Sequence, residues 1–272
     1  MEFRVPRSLL QKRNGGDVRF RGGIFDIDGV LLDTPHEQAW RSAFEQLIAR
    51  PWRSIAAQTT YRPGAYRSAV YQAQVAGKPR DVGAQAALDY FHVPDPDGSR
   101  VRQYAELKQQ LLMELAHSGG FHAYDDAIGF LLKVKAADIR IAAASASKNA
   151  DEFLRQVALG PFCHAHNLHY PFVKPDSTLL DMFDADVNGW DFKHGKPDPE
   201  IFLTAARQLG YPSDQCFVVE DAPAGTEAAK AGGMFAIGIA RHNDTALLQA
   251  AHADLVVTSL DAIDVDLLIH RA

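Results

Sequence analysis

The chain has 272 residues, 47% of them hydrophobic and 23% charged, with a formal net charge of −6. Such a chain can bury a sizeable core, and its acidic surplus argues against nucleic acid or an anionic membrane as the main partner. Two cysteines, Cys163 and Cys216, give no basis for a disulfide framework, so a reducing, cytoplasmic setting is expected.

Residues 1–21 carry five arginines and one lysine but no apolar signal core, so a short solvated extension is expected. No apolar run reaches the length that spans a bilayer. A first strand is expected over 22–27, "GGIFDI". From 35 to 124 no comparable strand occurs, and apolar residues recur at helical spacing, as in "AWRSAFEQLI" and "YAELKQQLLMELA". A smaller helical domain is therefore expected over 35–124.

Further strands are expected over 139–145, 216–221, 235–240 and 254–259, followed by helices over 148–159, 222–231, 245–251 and 260–268. Continuous apolar strands are buried on both faces, which predicts an α/β doubly wound parallel sheet built from 22–34 and 125–272. Residues 160–177 read as an irregular insertion. Its Cys163, His164, His166 and His169 are metal-ligating types, but they are tightly spaced without a partner pair, so a solvated loop is preferred. Trp40, Trp52 and Trp190 read as packing residues.

Ligands of open parallel sheets sit beyond the C-terminal strand ends, and four segments carry chemistry there. In Asp26-Ile27-Asp28-Gly29 the two carboxylates of an extended chain face one side. At ~5 Å and an effective dielectric of ~20 they repel by about 3 kcal/mol, so one holds a proton or a cation is present. An EF-hand is excluded: Leu31 stands where its glycine belongs, and Val30 replaces an oxygen ligand. In "ASASKN", Ser145, Ser147 and the following N–H groups can seat an anion. In "HGKPDPEIF", Asp198 caps a proline-started helix and leaves Lys196 as a fixed cation at the mouth of the sheet; Lys174 in "KPDS" lacks such a helix start. Finally, "VVEDAPAG" adds Glu220 and Asp221 to the same edge. Oxygen ligands without clustered His or Cys at these positions point to Mg²⁺.

In order, "FDIDGVLLDT", "ASASKN", "GKPDPE" and "VVEDAPAG" resemble the haloacid dehalogenase (HAD) superfamily, and within it the β-phosphoglucomutase-like group, whose helical cap follows the first motif. The resemblance implies a Rossmann-like core, Asp26 as nucleophile, Asp28 as general acid/base, and Ser145 and Lys196 on the transferring phosphoryl group. It implies Mg²⁺ held by Asp26, the Asp28 carbonyl and Asp221, with Glu220 in direct or water-mediated support. "HEQAW" matches a stretch whose histidine, here His36, couples the cap to the acid/base. Arg80, Lys108, Ser147, Lys148 and Asn149 match substrate-binding positions, although Arg80 and Lys108 are equally compatible with solvated helix charges. The expected activity is a monomeric Mg²⁺-dependent phosphatase of a small sugar phosphate; a phosphomutase working through a bisphosphate is the alternative, and a non-catalytic sugar-phosphate-binding regulator is less favoured.

Overall fold

A computed structural model describes residues 20–269. Its centre is a six-stranded parallel sheet in the order β5-β4-β1-β6-β7-β8. The strands are β1 (Gly22–Phe25), β4 (Arg140–Ala143), β5 (Ala185–Asp186), β6 (Cys216–Glu220), β7 (Phe235–Ile239) and β8 (Leu255–Val257). Because strand neighbours point to opposite faces, Ile24, Ala142 and Val218 pack under α8 (Glu200–Leu209) and α9 (Pro223–Ala231). Phe25, Ala143 and Val219 face α5 (Asp125–Ala136) and α6 (Ala150–Gln156) on the other side. Both faces are covered, which is why these strands carry no polar alternation.

Between β1 and β4 the chain leaves the sheet. It passes through β2 (Leu32–Asp33), builds α1 (His36–Ala49), α2 (Ser68–Gln74), α3 (Arg80–Tyr90) and α4 (Ser99–His117), and returns through β3 (His122–Ala123). β2 and β3 pair antiparallel, so the outgoing and returning strands form one neck. The helices carry a separate aromatic core around Phe44, whose ring lies 4.9–6.2 Å from those of Trp52, Tyr61, Tyr66, Phe91 and Tyr104. Tyr104 donates its hydroxyl to the Trp40 carbonyl at 3.0 Å, satisfying the polar handle inside that core.

Several local expectations need correction. Phe20 is buried against Phe217 and Phe235, and Arg21 lies over the Tyr211 ring, so no solvated leader extends to residue 21; residues 1–19 lie outside those described. The helix expected over 148–159 is only Ala150–Gln156. A further helix, α7 (Leu159–Ala165), follows it inside the supposedly irregular segment. That segment closes on itself, Leu159 N–H donating to Ser177 O and Leu179 N–H to Val157 O, both at 2.9 Å. The short edge strand β5 lacked a sequence signal. The helix expected over 260–268 is two 3₁₀ turns, Leu260–Ala262 and Val265–Leu267. Asp264 caps the second turn by accepting the Asp266 N–H, which interrupts continuous helix. Among the described residues, α10 (Thr245–Ala250) completes the helices, and no helix is long and apolar enough to cross a membrane.

Candidate active site

The C-terminal edge of the sheet faces the four helices across a cavity of about 470 Å³. Asp26 follows β1, its N–H still donating to Val219 O at 3.1 Å, and the residue is only 4% exposed. Lys196, on the loop before α8, donates to Asp26 Oδ1 at 2.6 Å and to Glu220 Oε1 at 2.5 Å. Asp198 accepts the Glu200 N–H at 3.0 Å, so it does orient the start of α8, although Pro199 precedes the helix rather than opening it. Lys174 is exposed and is not among the residues lining the cavity.

Glu220 closes β6, and its Oε2 accepts the N–H groups of Asp221 and Ala222, both at 3.1 Å. Asp26, Glu220 and Asp221 each offer an oxygen, all within 4.8 Å of one another. Such crowding needs compensation. Burial opposes the charge on Lys196, but Asp26 and Glu220 outweigh it and hold the ammonium protonated. Burial, then Glu220, Asp26 and Asp244, push the Asp221 carboxyl well above the usual range. One cation among three buried carboxylates leaves an uncompensated negative excess, and the all-oxygen donor set suits a hard divalent ion. Gly29 makes the approach feasible: at φ +85°, a Cβ there would lie 2.0 Å from Asp221 Oδ2.

Asp28 is turned differently. It accepts from Thr34 Oγ1 at 2.7 Å and from Ser145 Oγ at 3.4 Å, and burial raises its carboxyl despite these donors and Lys108. Its side chain is therefore separate from the carboxylate trio. Ser145 itself is fixed from the loop after β5: its N–H donates to Asn188 Oδ1 at 2.8 Å, and Asn188 Nδ2 donates to Asp151 at 3.0 Å. Ser147 N–H returns to Ser145 Oγ at 3.0 Å, so the turn before α6 is a preformed concavity.

From the helical side, His36 opens α1 and Lys108 lies mid-α4, 3.0 Å from His36 Nδ1. His36 Nε2 is 3.5 Å from Asp28 Oδ1, which joins the two layers. Lys108 is only 3% exposed and so is not a solvated helix charge; burial and Arg80 push its ammonium down to about 7, against Asp28. Arg80 is half-buried at the start of α3 and lines the cavity. Asn149 pairs with Gln109 of α4 at 3.2 and 3.3 Å. Exposed Lys148 bonds Asp191 at 2.7 Å.

Sequence reasoning missed Thr34, Asn188 and Gln109, whose amides and hydroxyl have no signature until the fold brings them to Asp28, Ser145 and Asn149. It also misjudged one tryptophan. Trp40 and Trp52 are buried among the helices, whereas Trp190 is 49% exposed and lines the cavity. Cys163 is buried in the core, while His164, His166 and His169 are exposed, His166 facing Asp125 at 3.4 Å.

Residues 21–233 match the family model of haloacid dehalogenase-like hydrolases. A β-phosphoglucomutase from Mycobacterium tuberculosis is 31% identical over 89% of this chain and 90% of its own length. A phosphorylated carbohydrates phosphatase from Thermotoga maritima is 26% identical over 86% of this chain and 92% of its own. The crystal structure of an archaeal β-phosphoglucomutase from Pyrococcus sp. strain ST 04 superposes with a TM-score of 0.64 at 30% identity, covering 91% of this chain and 96% of that one. With the carboxylate edge, the buried lysine and the parallel sheet that carries them, these likenesses make the chain an enzyme of the haloacid dehalogenase-like hydrolase family.

Proposed function

We propose that the protein is a Mg²⁺-dependent phosphatase that hydrolyses a small sugar phosphate through an aspartyl-phosphate on Asp26. The observation that carries this reading is the buried Asp26, bonded by Lys196 within an acidic trio, with Asp28 held apart beside it. Asp26, the Asp28 carbonyl and Asp221 would hold the metal, which when bound neutralises charge on the phosphoryl oxygens. Glu220 already accepts from Lys196 and two backbone N–H groups, so it supports the site by orienting Lys196.

Asp26 attacks phosphorus in line, and the bond from phosphorus to the sugar oxygen breaks. Asp28, whose carboxyl is raised by burial, gives its proton to that oxygen. Lys196 and the Ser145 turn hold the phosphoryl oxygens as charge develops on them. Water then attacks phosphorus and Asp28 takes back a proton. The bond to Asp26 breaks, and inorganic phosphate leaves.

Access for water favours hydrolysis. Asp28 and Asp221 line the main cavity and also a second one of about 280 Å³, bounded by Asp33, Thr34 and His36 on the neck side. The second reading, a phosphomutase, draws on the full-length likeness to β-phosphoglucomutases and on Arg80, Ser147 and Asn149 beyond the reacting end of the cavity. Incubation with β-glucose 1-phosphate and a trace of its bisphosphate separates the two. Inorganic phosphate alone is expected; accumulation of glucose 6-phosphate establishes the mutase instead, and no turnover of any sugar phosphate overturns both.

A further inference from the structure

Three large hydrophobic side chains are exposed among the described residues, and two of them, Val82 at 50% and Trp190 at 49%, line the cavity that holds Asp26. Val82 comes from α3 and Trp190 from the loop after β5, so the apolar surface is contributed from both layers. The Trp190 indole, covered on one side by Phe192, leaves about half of its surface open at the cavity. It is available to a ligand with an apolar face.

The loop holding that indole is anchored to the phosphoryl seat. Gly189 takes φ +62°, where a Cβ would lie 2.8 Å from the Lys148 Cα, and its N–H donates to Ser145 O at 2.9 Å. Asn188, two residues before Trp190, accepts the Ser145 N–H at 2.8 Å. Phe192 stacks beside the indole, with ring centroids 6.4 Å apart at 21°. Trp190 is thus held in register with the reacting end.

The neighbouring polar groups of the cavity both donate and accept: the amides of Gln109 and Asn149, and the Lys148–Asp191 pair. This mixture suits hydroxyls, which also do both. A cavity of about 470 Å³ also leaves room beyond one phosphorylated ring.

We propose that Trp190 forms the floor of a subsite for a second, unphosphorylated sugar ring, so that the preferred substrate is a phosphorylated disaccharide rather than a hexose monophosphate. The C–H face of that ring lies on the indole, with Val82 at its edge, and its hydroxyls meet the amides. This deepens the phosphatase reading and rests on it.

The test compares kcat/KM for trehalose 6-phosphate, sucrose 6′-phosphate and glucose 6-phosphate in the wild type, Trp190→Ala and Trp190→Phe. At least one disaccharide phosphate is expected to exceed glucose 6-phosphate by about tenfold or more, a margin that one pocket contact supplies. Trp190→Ala loses that margin chiefly through KM, and Trp190→Phe keeps most of it. A second readout needs no turnover: in Asp26→Asn, the preferred disaccharide phosphate shields tryptophan fluorescence from acrylamide, and glucose 6-phosphate does so less, since Trp40 and Trp52 are already buried. Turnover of all three substrates with the same ratios in wild type and Trp190→Ala overturns the subsite but leaves the phosphatase standing. Preference for a nucleoside monophosphate that depends on Trp190 also overturns it. No turnover of any sugar phosphate, with no shielding, overturns the phosphatase and the subsite together.

Discussion

Lys196 and Asp26 stand 170 residues apart in sequence and 2.6 Å apart in space, each almost wholly buried. The lysine also bonds Glu220, so it is both the counter-charge of the buried edge and the cation beside the proposed nucleophile. Removing it should have two separable effects. Lys196→Met leaves two buried carboxylates without their partner, a change that costs about 3 kcal/mol or more, and thermal melting should show a clear drop. Turnover of a phosphomonoester should fall with it, whereas Asp26→Asn should lose turnover by at least about 10⁴-fold without that drop in stability. A Lys196→Met protein that melts with the wild type would show that the contact contributes little.

A metal requirement is expected from the charge imbalance. Asp221 is a buried carboxylate held well above the ordinary range, first by burial and then by Glu220, Asp26 and Asp244. A folded-state value above the unfolded one means that ionised Asp221 destabilises the metal-free fold near neutral pH. Asp221→Asn should therefore melt at or above the wild type in chelator. With Mg²⁺ the order should reverse, because the wild type gains about 2.7 kcal/mol at a hundredfold excess over Kd and the variant does not. Chelator should abolish wild-type turnover; retained turnover in metal-free buffer would exclude the assigned metal role.

The parts of this site legible in the sequence share one property: their chemistry conflicts with their surroundings. Asp26, Asp28, Glu220 and Asp221 are carboxylates ending apolar strands, and Lys196 is a cation that the adjoining helix start does not use. Such conflicts are visible without a fold. Lys108 carried no conflict, because a lysine on an amphipathic helix is ordinary until the helix packs over Asp28 and His36. The same holds for Trp190, since an aromatic residue is by default a core residue and only the turn at Gly189 directs it to the cavity. The strands were readable from apolar runs, but β5 has two residues and is held by its partner β4 rather than by its own composition. At 260–268 the apolar spacing suggested a helix, and the local hydrogen bond at Asp264 decided otherwise.

His36 and Lys108 share a hydrogen bond of 3.0 Å, in which one of the facing nitrogens donates and the other must offer a lone pair. Burial, Lys108 and Arg80 together hold the imidazole well below its usual range. Neutral His36 then accepts from Lys108 on Nδ1 and presents Nε2–H towards Asp28. Lys108→Met removes one positive neighbour, so the His36 titration should move up, as followed by its ring resonances. kcat should fall about 10- to 100-fold as the link to Asp28, the proposed acid/base, loosens. An unmoved His36 titration would show that Lys108 does not set its charge state.

Asp126 offers a pH test remote from the carboxylate edge. It lies in the first turn of α5 and accepts from Arg241 on both oxygens, at 2.9 and 3.0 Å, and from Ser259 Oγ and the Leu260 N–H, both at 2.9 Å. Arg241 also donates to Val30 O at 3.2 Å, so this group ties the helix start to the segment after β8 and to the turn after β1. Burial raises the Asp126 carboxyl, but the Arg241 bond, the Leu260 N–H and Ser259 outweigh it and bring it below its ordinary value. A depressed folded-state value contributes stability that is fully present above the unfolded value, near 3.9, and is lost as the pH falls through the folded one. Asp126→Asn should therefore destabilise the protein by about 2 kcal/mol at pH 7, the size of a lost charge-assisted bond. The difference from wild type should shrink below pH 4, as measured by urea unfolding at each pH where both remain folded. A difference that stays constant from pH 7 to 3.5 would show that the pairing does not depend on the carboxylate charge.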